Sequence, residues 1–401
     1  MSQKEKRNGI MGMDEKELPY AQWLYQIKGM GSKTIVKLLG DNRKPSEVYA
    51  MTCGEWEELL PQGKHAIVKV MEENRLHYNP EEEYGKLLDK GIHFTCLGQL
   101  TYPDMLAHIS DKPFGIYYKG KLPDKDKPSI AIIGARNCSA YGKYMAEKLG
   151  HELAEAGVQV ISGMARGVDG ISQYAALEKG GYSMAVFGCG VDICYPAENG
   201  NLYRMLVEKG GICSEYVPGT APQANLFPPR NRIISGMSDG VLVIEARNKS
   251  GTLITVDMAL EQGKEVFALP GRVTEPLSEG CNRLIKQGAC VVQDTQDILQ
   301  ELEKLHRYNK ETTEFLRKKT REKCTKECKC KGTIEVETEN ERTRKILQDI
   351  IDYSPKSIEQ IRIELFHRIG NLYSIPEMLG VLMEMEVLGL IHRAGNGCFV
   401  R

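Results

Sequence analysis

Residues 129–163 read SIAIIGARNCSAYGKYMAEKLGHELAEAGVQVISG, and this stretch decides the fold. A short, continuously apolar run (SIAII) meets a glycine turn, then a stretch of helical period, then a second apolar run (VQVIS). Apolar runs that do not alternate with polar residues belong to strands covered on both faces, and helices between them make those strands parallel. The unit recurs in SMAVFG, ICSEY, GVLVIEA, EVFALPG and CVVQD. A parallel sheet of α/β type, flanked by helices, is therefore expected from Ser129 to about residue 305.

Working outward, residues 14 to about 90 read as short helices such as YAQWLYQIKG and SKTIVKLLG. Residues 91–127 read as a connecting segment ending in the turn-rich KGKLPDKDKP. Residues 304–331 carry eleven Lys/Arg against four Glu, a net +7, with almost no apolar period; that is the composition of a linker. Beyond it, ENERTRKILQDII, SIEQIRIELF and SIPEMLGVLMEMEVLGL predict three helices, and LIHRAGNGCFVR predicts a hairpin around Gly-Asn-Gly. Three helices and a hairpin suggest a winged helix. The expected divisions are a helical N-terminal domain at 1–90, the sheet domain at 91–305, a basic linker at 306–334 and the winged helix at 335–401.

Composition narrows the function. The 401 residues hold 53 Lys+Arg against 54 Asp+Glu, a net charge of −1. A wholly basic nucleic-acid binder is excluded, and any such contact must be a local patch. At 41% hydrophobic residues, global disorder is excluded as well. No apolar run approaches the roughly 18 residues of a membrane span, and the polar MSQKEKRNG leads into no signal-peptide core. The twelve cysteines sit singly along a large chain, which favours reduced thiols and a cytoplasmic location. Cys324, Cys328 and Cys330 lack a nearby fourth ligand and read as a loose thiol cluster, so no metal is expected.

Open parallel sheets bind ligands beyond the carboxyl ends of their strands. The loops there are GARNCSAYG with Gly134 and Arg136, the loop SGMARGVDG with Ser162, Gly163, Arg166, Gly167 and Asp169, then CGVDICYPAEN, FPPRNR preceding the helix RIISG, and RNKSGT. Glycines admit an anion close to backbone N–H groups, helix N-termini add positive potential, and arginine adds a forked donor. A dinucleotide fingerprint is absent, since Gly134 and Gly142 do not complete G-x-G-x-x-G and the second strand ends in Ser162-Gly163 where an acid would hold a ribose. No P-loop, catalytic Ser-His-Asp order or zinc-protease motif occurs. For a hydrolase, Asp169, Glu215, Glu245 and Asp257 could supply acid and base, but Glu215 and Glu245 stand at strand ends, where caps and salt bridges are as common. The segment IKGMGSKT, with Ile27, Gly29 and Gly31, is similar to the hairpin of a helix-hairpin-helix, and equally to a plain corner between helices.

The runs IIGARNCSAYG, VISGMARGVDGISQYAAL, AVFGCGVDICYPAEN, FPPRNRIISGMSDGVLVIEA, SGTLITVDMALEQGKEVFALPG and SEGCNRLIKQGA resemble the DNA-processing protein family DprA, also called Smf. The resemblance spans about residues 95 to 300. It implies an extended Rossmann-like core that dimerises, single-stranded DNA as ligand, and transfer of that DNA to the RecA recombinase during natural transformation. Carried over by position, it implies DNA or phosphate contacts at Gly134 and Arg136, at Ser162, Gly163, Ala165, Gly167 and Asp169, and at Phe227, Pro228, Arg230, Asn231 and Arg232. The loop before Phe227, TAPQAN, lacks the basic residue that some members have. The fold also resembles phosphoribohydrolases, whose P-G-G-x-G-T-x-x-E corresponds to RNKSGTLIT here. Ser250, Gly251 and Thr252 keep the phosphate cradle, but Thr255 stands where the catalytic Glu would be. A binder without catalytic residues, cofactor or metal is expected, with a phosphoribohydrolase-like enzyme as the alternative. The helix PEMLGVLMEMEVLG has Glu377, Glu384 and Glu386 and no Lys or Arg, so it suits a protein contact or a structural role better than a DNA groove. Residues 128–300 hold 15 Lys/Arg against 18 Asp/Glu, so binding must be focal.

Overall fold

The computed structural model describes residues 12–40, 43–61, 63, 66–305, 346–352, 354–369, 375–387, 390–394 and 398–400. All seven apolar runs from Ser129 onward become strands of one sheet, and two earlier segments join them. The strands are β1 (His93–Cys96), β2 (Gly115–Gly120), β3 (Ser129–Ile133), β4 (Gln159–Ser162), β5 (Ser183–Val186), β6 (Gly211–Ser214), β7 (Gly240–Val243), β8 (Glu265–Ala268) and β9 (Cys290–Val291). Their order is β1-β2-β6-β5-β4-β3-β7-β8-β9. From β6 to β9 every neighbouring pair is parallel.

Residues 91–127 are more than a connection. β1 and β2 pair antiparallel, Phe94 opposite Tyr117, and β2 pairs antiparallel with β6, so the sheet is mixed. Four-residue β1 carries little periodic signal, and its pairing depends on a residue distant in sequence: the Phe94 ring lies over Gly115, where a Cβ would stand 2.3 Å from it.

The helices of this unit are α1 (Leu18–Gln26), α2 (Ser32–Leu39), α3 (Pro45–Ala50), α4 (Cys53–Leu59), α5 (Ala66–His77), α6 (Pro80–Asp89), α7 (Asp104–Ala107), α8 (Ala140–Glu155), α9 (Val168–Glu178), α10 (Gly200–Lys209), α11 (Phe227–Gly236), α12 (Gly251–Glu261), α13 (Glu279–Lys286) and α14 (Thr295–Lys304). The period-2 alternation of β3 divides the core. Ile130 and Ile132 pack with Leu149 and Leu153 of α8 and Ile298 and Leu302 of α14. Ala131 and Ile133 belong to a second core with Ile233 and Ile234 of α11. That second core runs without a break into Trp23, Leu24, Leu38 and Trp56, so residues 12–89 share their interior with the sheet. Compactness accordingly divides the chain into residues 1–322 and 323–401. IKGMGSKT is the turn from α1 to α2, with Gly29 at φ +90° and Met30 buried.

Within the second unit, helices at 346–350, Ile358–Ile369 and Ile375–Val387 pack around Leu347, Ile361, Leu382 and Phe399. His392–Ala394 and Cys398–Val400 pair antiparallel, and Lys356–Ser357 adds a short third strand beside the latter. Arg393 donates to Glu386 at 3.0 Å. The basic linker, the Cys324, Cys328 and Cys330 cluster, and the Glu377 and Glu384 side chains lie outside the described residues. Among the described residues, no helix is long and apolar enough to cross a membrane, and no group of His, Cys, Asp or Glu could hold a metal ion.

Cys96, Cys213 and Cys281 are buried free thiols. Burial raises Cys96 and pushes Cys213 and Cys281 up to about 12. Because the thiolate is the reactive form, these three should resist thiol reagents at pH 8 in the native protein and react at once in denaturant. A thiol titration with and without denaturant, read against the twelve in the chain, checks this.

Candidate phosphate-binding site

The chain runs from β3 through β4 and β5 to β6 on one side, then restarts at β7 on the other side of β3. This reversal opens a crevice at the carboxyl ends of β3 and β7. A cavity of about 560 Å³ lies there, lined by Gly134, Arg136, Ala165, Asp169, Tyr195, Phe227, Pro228, Arg230, Asn231, Ser250, Gly251, Thr252 and Thr255 among others. Its size suits a nucleotide-scale group.

The loop after β3 delivers Arg136. A Cβ on Gly134 would stand 2.7 Å from Val168, so the chain passes hard against α9 before Arg136 emerges exposed at the cavity. Ser139 caps α8 by accepting the Gly142 N–H at 3.1 Å. Buried Glu245 in turn accepts from the Ser139 N–H at 2.9 Å and from its hydroxyl at 2.5 Å. Glu245 therefore positions the loop that carries Arg136. Among the described residues, Arg136 makes no ion pair.

The loop after β4 supports the cavity more than it lines it. Ser162 is fully buried and donates to Ile132 O at 2.6 Å. The Gly163 N–H donates to Asp169 Oδ2 at 3.2 Å, so it is committed inside the protein. Gly167, at φ +73°, tucks under the Arg136 loop, where a Cβ would lie 2.3 Å from Ala135 O. Ser162, Gly163 and Gly167, expected to contact phosphate directly, do not line the cavity, while Ala165 and Asp169 do.

Helix α11 begins at Phe227, so FPPRNR lies within the helix rather than before it. Phe227, Arg230, Asn231 and Ile234 follow the i, i+3, i+4, i+7 spacing of one helical face, and all four line the cavity. Arg232, expected at the phosphate site, lies off that face. It forks onto Glu215 at 3.2 and 2.7 Å and onto Asp111 at 3.1 Å, and it does not line the cavity. Arg230, 5% exposed, donates to Gly163 O, Val186 O and Asn231 Oδ1. Asn231 spends its carbonyl there, which leaves its NH2 as a donor to a ligand. The Arg230 guanidinium lies 5.7 Å from the centroid of the Phe227 ring. Tyr195, which the sequence reading passed over within CGVDICYPAEN, stands 42% exposed with its ring 5.5 Å from Phe227. Its signal was an aromatic residue in a strand-end loop.

Helix α12 points its N-terminus into the cavity. Ser250 caps it by accepting the Thr252 N–H at 3.2 Å, and the Thr252 hydroxyl donates to Gly134 O at 3.3 Å. Gly251 has open space around it. Burial raises the Asp169 carboxyl, with the Arg230 guanidinium and the Gly163 N–H opposing; burial also lowers Arg230. Desolvation thus outweighs attraction for both charges. Asp169 is the one carboxylate among the described lining residues. Glu215 is paired with Arg232, Glu245 is bound to Ser139, and Asp257 is exposed on α12 away from the lining. The cavity offers anion donors and aromatic faces without a convergent acid–base pair.

Arg230 and Arg232 should therefore both matter for stability, and only one for the cavity. Arg232→Met strands the largely buried Glu215 and should cost about 3 kcal/mol in chemical denaturation. Binding of a polyanion to the folded variant should stay unchanged. A loss of binding with wild-type stability would return Arg232 to the site.

The family model of DNA recombination-mediator protein A matches residues 93–303. The DNA processing protein DprA of Streptococcus pneumoniae is 43% identical over 202 residues, which is 50% of this chain and 71% of that protein. Protein Smf of Escherichia coli is 44% identical over 203 residues, 50% of this chain and 54% of its own length. The crystal structure of the S. pneumoniae DprA superposes with a TM-score of 0.62 at 33% identity, covering 73% of this chain and 99% of that one. With a cavity of hydrogen-bond donors at the switch point and a family match that spans the sheet domain, the conclusion is that the chain belongs to the DNA recombination-mediator protein A family.

Proposed function

We propose that this protein binds single-stranded DNA in the switch-point cavity and passes it to the RecA recombinase. Phosphates contact Arg136, the Asn231 NH2 and the α12 N-terminus around Ser250, Gly251 and Thr252, while an unpaired base stacks on Phe227 or Tyr195. The observation that carries this reading is Arg136, an exposed guanidinium without an ion pair among the described residues, facing a cavity that also presents two aromatic rings. Aromatic faces inside a cavity accept bases that have left the duplex stack, and such contacts are worth about 1–3 kcal/mol per base. The family's description as a recombination mediator supports the handover to RecA, and protection of incoming DNA in natural transformation follows from the same reading. On this proposal the protein works in the cytoplasm as a homodimer formed through the Rossmann-like domain. The unit at 346–400 is a winged helix that serves protein contact or structure, consistent with its acidic helix Ile375–Val387. The division at 1–90, 91–305, 306–334 and 335–401 is kept as a functional one, with the linker a basic tether.

Arg136→Ala should weaken oligonucleotide binding about tenfold or more, since charge-assisted hydrogen bonds contribute roughly 1.5–3 kcal/mol. Arg136→Lys should fall between, because it keeps the charge and loses the fork. Stability should change by about 0.5 kcal/mol or less. The wild-type log–log salt slope should be about −0.7 per phosphate neutralised. Fluorescence anisotropy and thermal melting check these outcomes together. A slope near zero overturns the cradle, and release of free base from nucleoside monophosphates would replace the binder with an enzyme.

A further inference from the structure

The strand-end rim beside α12 carries cations that the cavity does not use. Arg247, Asn248 and Lys249 form the exposed loop leading to Ser250. Helix α13 starts against this loop: the Gly280 N–H donates to Ala246 O at 2.8 Å, and a Cβ on Gly280 would stand 2.9 Å from Arg247 O. Exposed Arg283, one turn along α13, donates to Asn248 Oδ1. The adjoining residue Asn282 is hydrogen-bonded to both backbone groups of Gly271, at 3.2 and 2.9 Å, which brings exposed Arg272 to the same corner. Glu275 and Glu279 are the carboxylates of this corner's own loop and helix.

Among the described residues, Arg247, Lys249 and Arg283 make no ion pair. Other cations of the domain do, as in Arg166–Glu198, Lys179–Glu155 and Arg232–Glu215. The helix dipole explains Arg283 near the end of α13, but it does not explain two exposed cations in a loop. Unbalanced positive charge in a domain that is net negative, contiguous with a phosphate-binding cavity, fits a polyanion passing over it.

We infer that this corner is an exit path for the strand. The deduction rests on the single-stranded DNA reading. A cavity of about 560 Å³ holds a nucleotide-sized portion of the ligand, so a longer strand has to leave across the rim. It leaves over the β7–α12 loop and α13, with the phosphates of the following nucleotides against Arg247, Lys249 and Arg283.

The test uses the full chain carrying Arg247→Ser, Lys249→Ser and Arg283→Ser together, with oligothymidylates of about six and about twenty nucleotides. The control replaces Lys69, Lys90 and Lys125 with Ser, removing equal charge far from the rim. The exit path predicts unchanged affinity for the short strand. It predicts about tenfold weaker binding of the long strand at low salt, and a salt slope shallower by about two (about 0.7 per lost contact). The control should bind both strands as wild type does. Equal losses in both triple variants, loss on the short strand, or no loss on the long strand would each overturn the path. Wild-type protein that binds neither strand overturns the single-strand reading and the path with it; wild-type binding with an indifferent rim variant overturns the path alone.

Discussion

An arginine with 5% of its surface in water must take most of its acceptors from the protein, and Arg230 takes them from three places. Val186 O ends β5, Gly163 O belongs to the loop after β4, and Asn231 Oδ1 is its own helical neighbour. Sealing a charge in this way is costly, and the lowered Arg230 and raised Asp169 show that the cost is not fully recovered between them. What the arrangement secures is geometry. With Arg230 in place, α11, β4 and β5 hold one relative position, and Phe227 and Asn231 are presented on the same helical face.

The surrounding glycines follow from that constraint. A Cβ on Gly163 would sit 2.7 Å from the Arg230 guanidinium and 2.9 Å from Asp169, and one on Gly188 would sit 2.7 Å from the Phe227 ring. On the opposite wall, a Cβ on Gly142 would press within 2.3 Å of the Glu245 carboxylate that fixes Ser139. These glycines make room for charged and aromatic groups to pack against bare backbone. Their role is close approach inside the wall, which is a different matter from offering N–H groups to a ligand. Two motif glycines, at positions 163 and 167, thus shape the wall without lining the cavity.

The legible parts of the sequence were those governed by burial. Seven strands buried on both faces announce themselves as uninterrupted apolar runs, and the switch-point rule then directs attention to the right loops. β1 and β2 were hidden because their signal lies in pairing across sequence distance, with Gly115 meaningful only once Phe94 covers it. Arg232 is absent from the cavity lining for a local reason. In a loop, every arginine of FPPRNR could face a ligand. Once the helix starts at Phe227, residues two apart diverge by about 200° around its axis, and Arg230 and Arg232 must face different surroundings. Glu215 and Glu245, which the sequence leaves open between acid–base and structural roles, are engaged by Arg232 and by Ser139, because strand-end acids next to a helix start or a basic helix have ready partners.

The two kinds of arginine also determine how the cavity can discriminate. Arg230 commits Nε and one terminal nitrogen to three acceptors and cannot swing toward a ligand without abandoning them. Arg136 is exposed and, among the described residues, has no ion pair to break. Recognition by Arg136, the α12 N-terminus and the Asn231 NH2 is recognition by donors alone, and donors alone suit phosphate oxygens. Tyr195 and Phe227 add π faces, which every base can satisfy. On the proposed reading, a cavity so equipped would distinguish an unpaired strand from a duplex by shape and stacking while remaining tolerant of sequence, a tolerance that a mediator of recombination on arbitrary DNA requires.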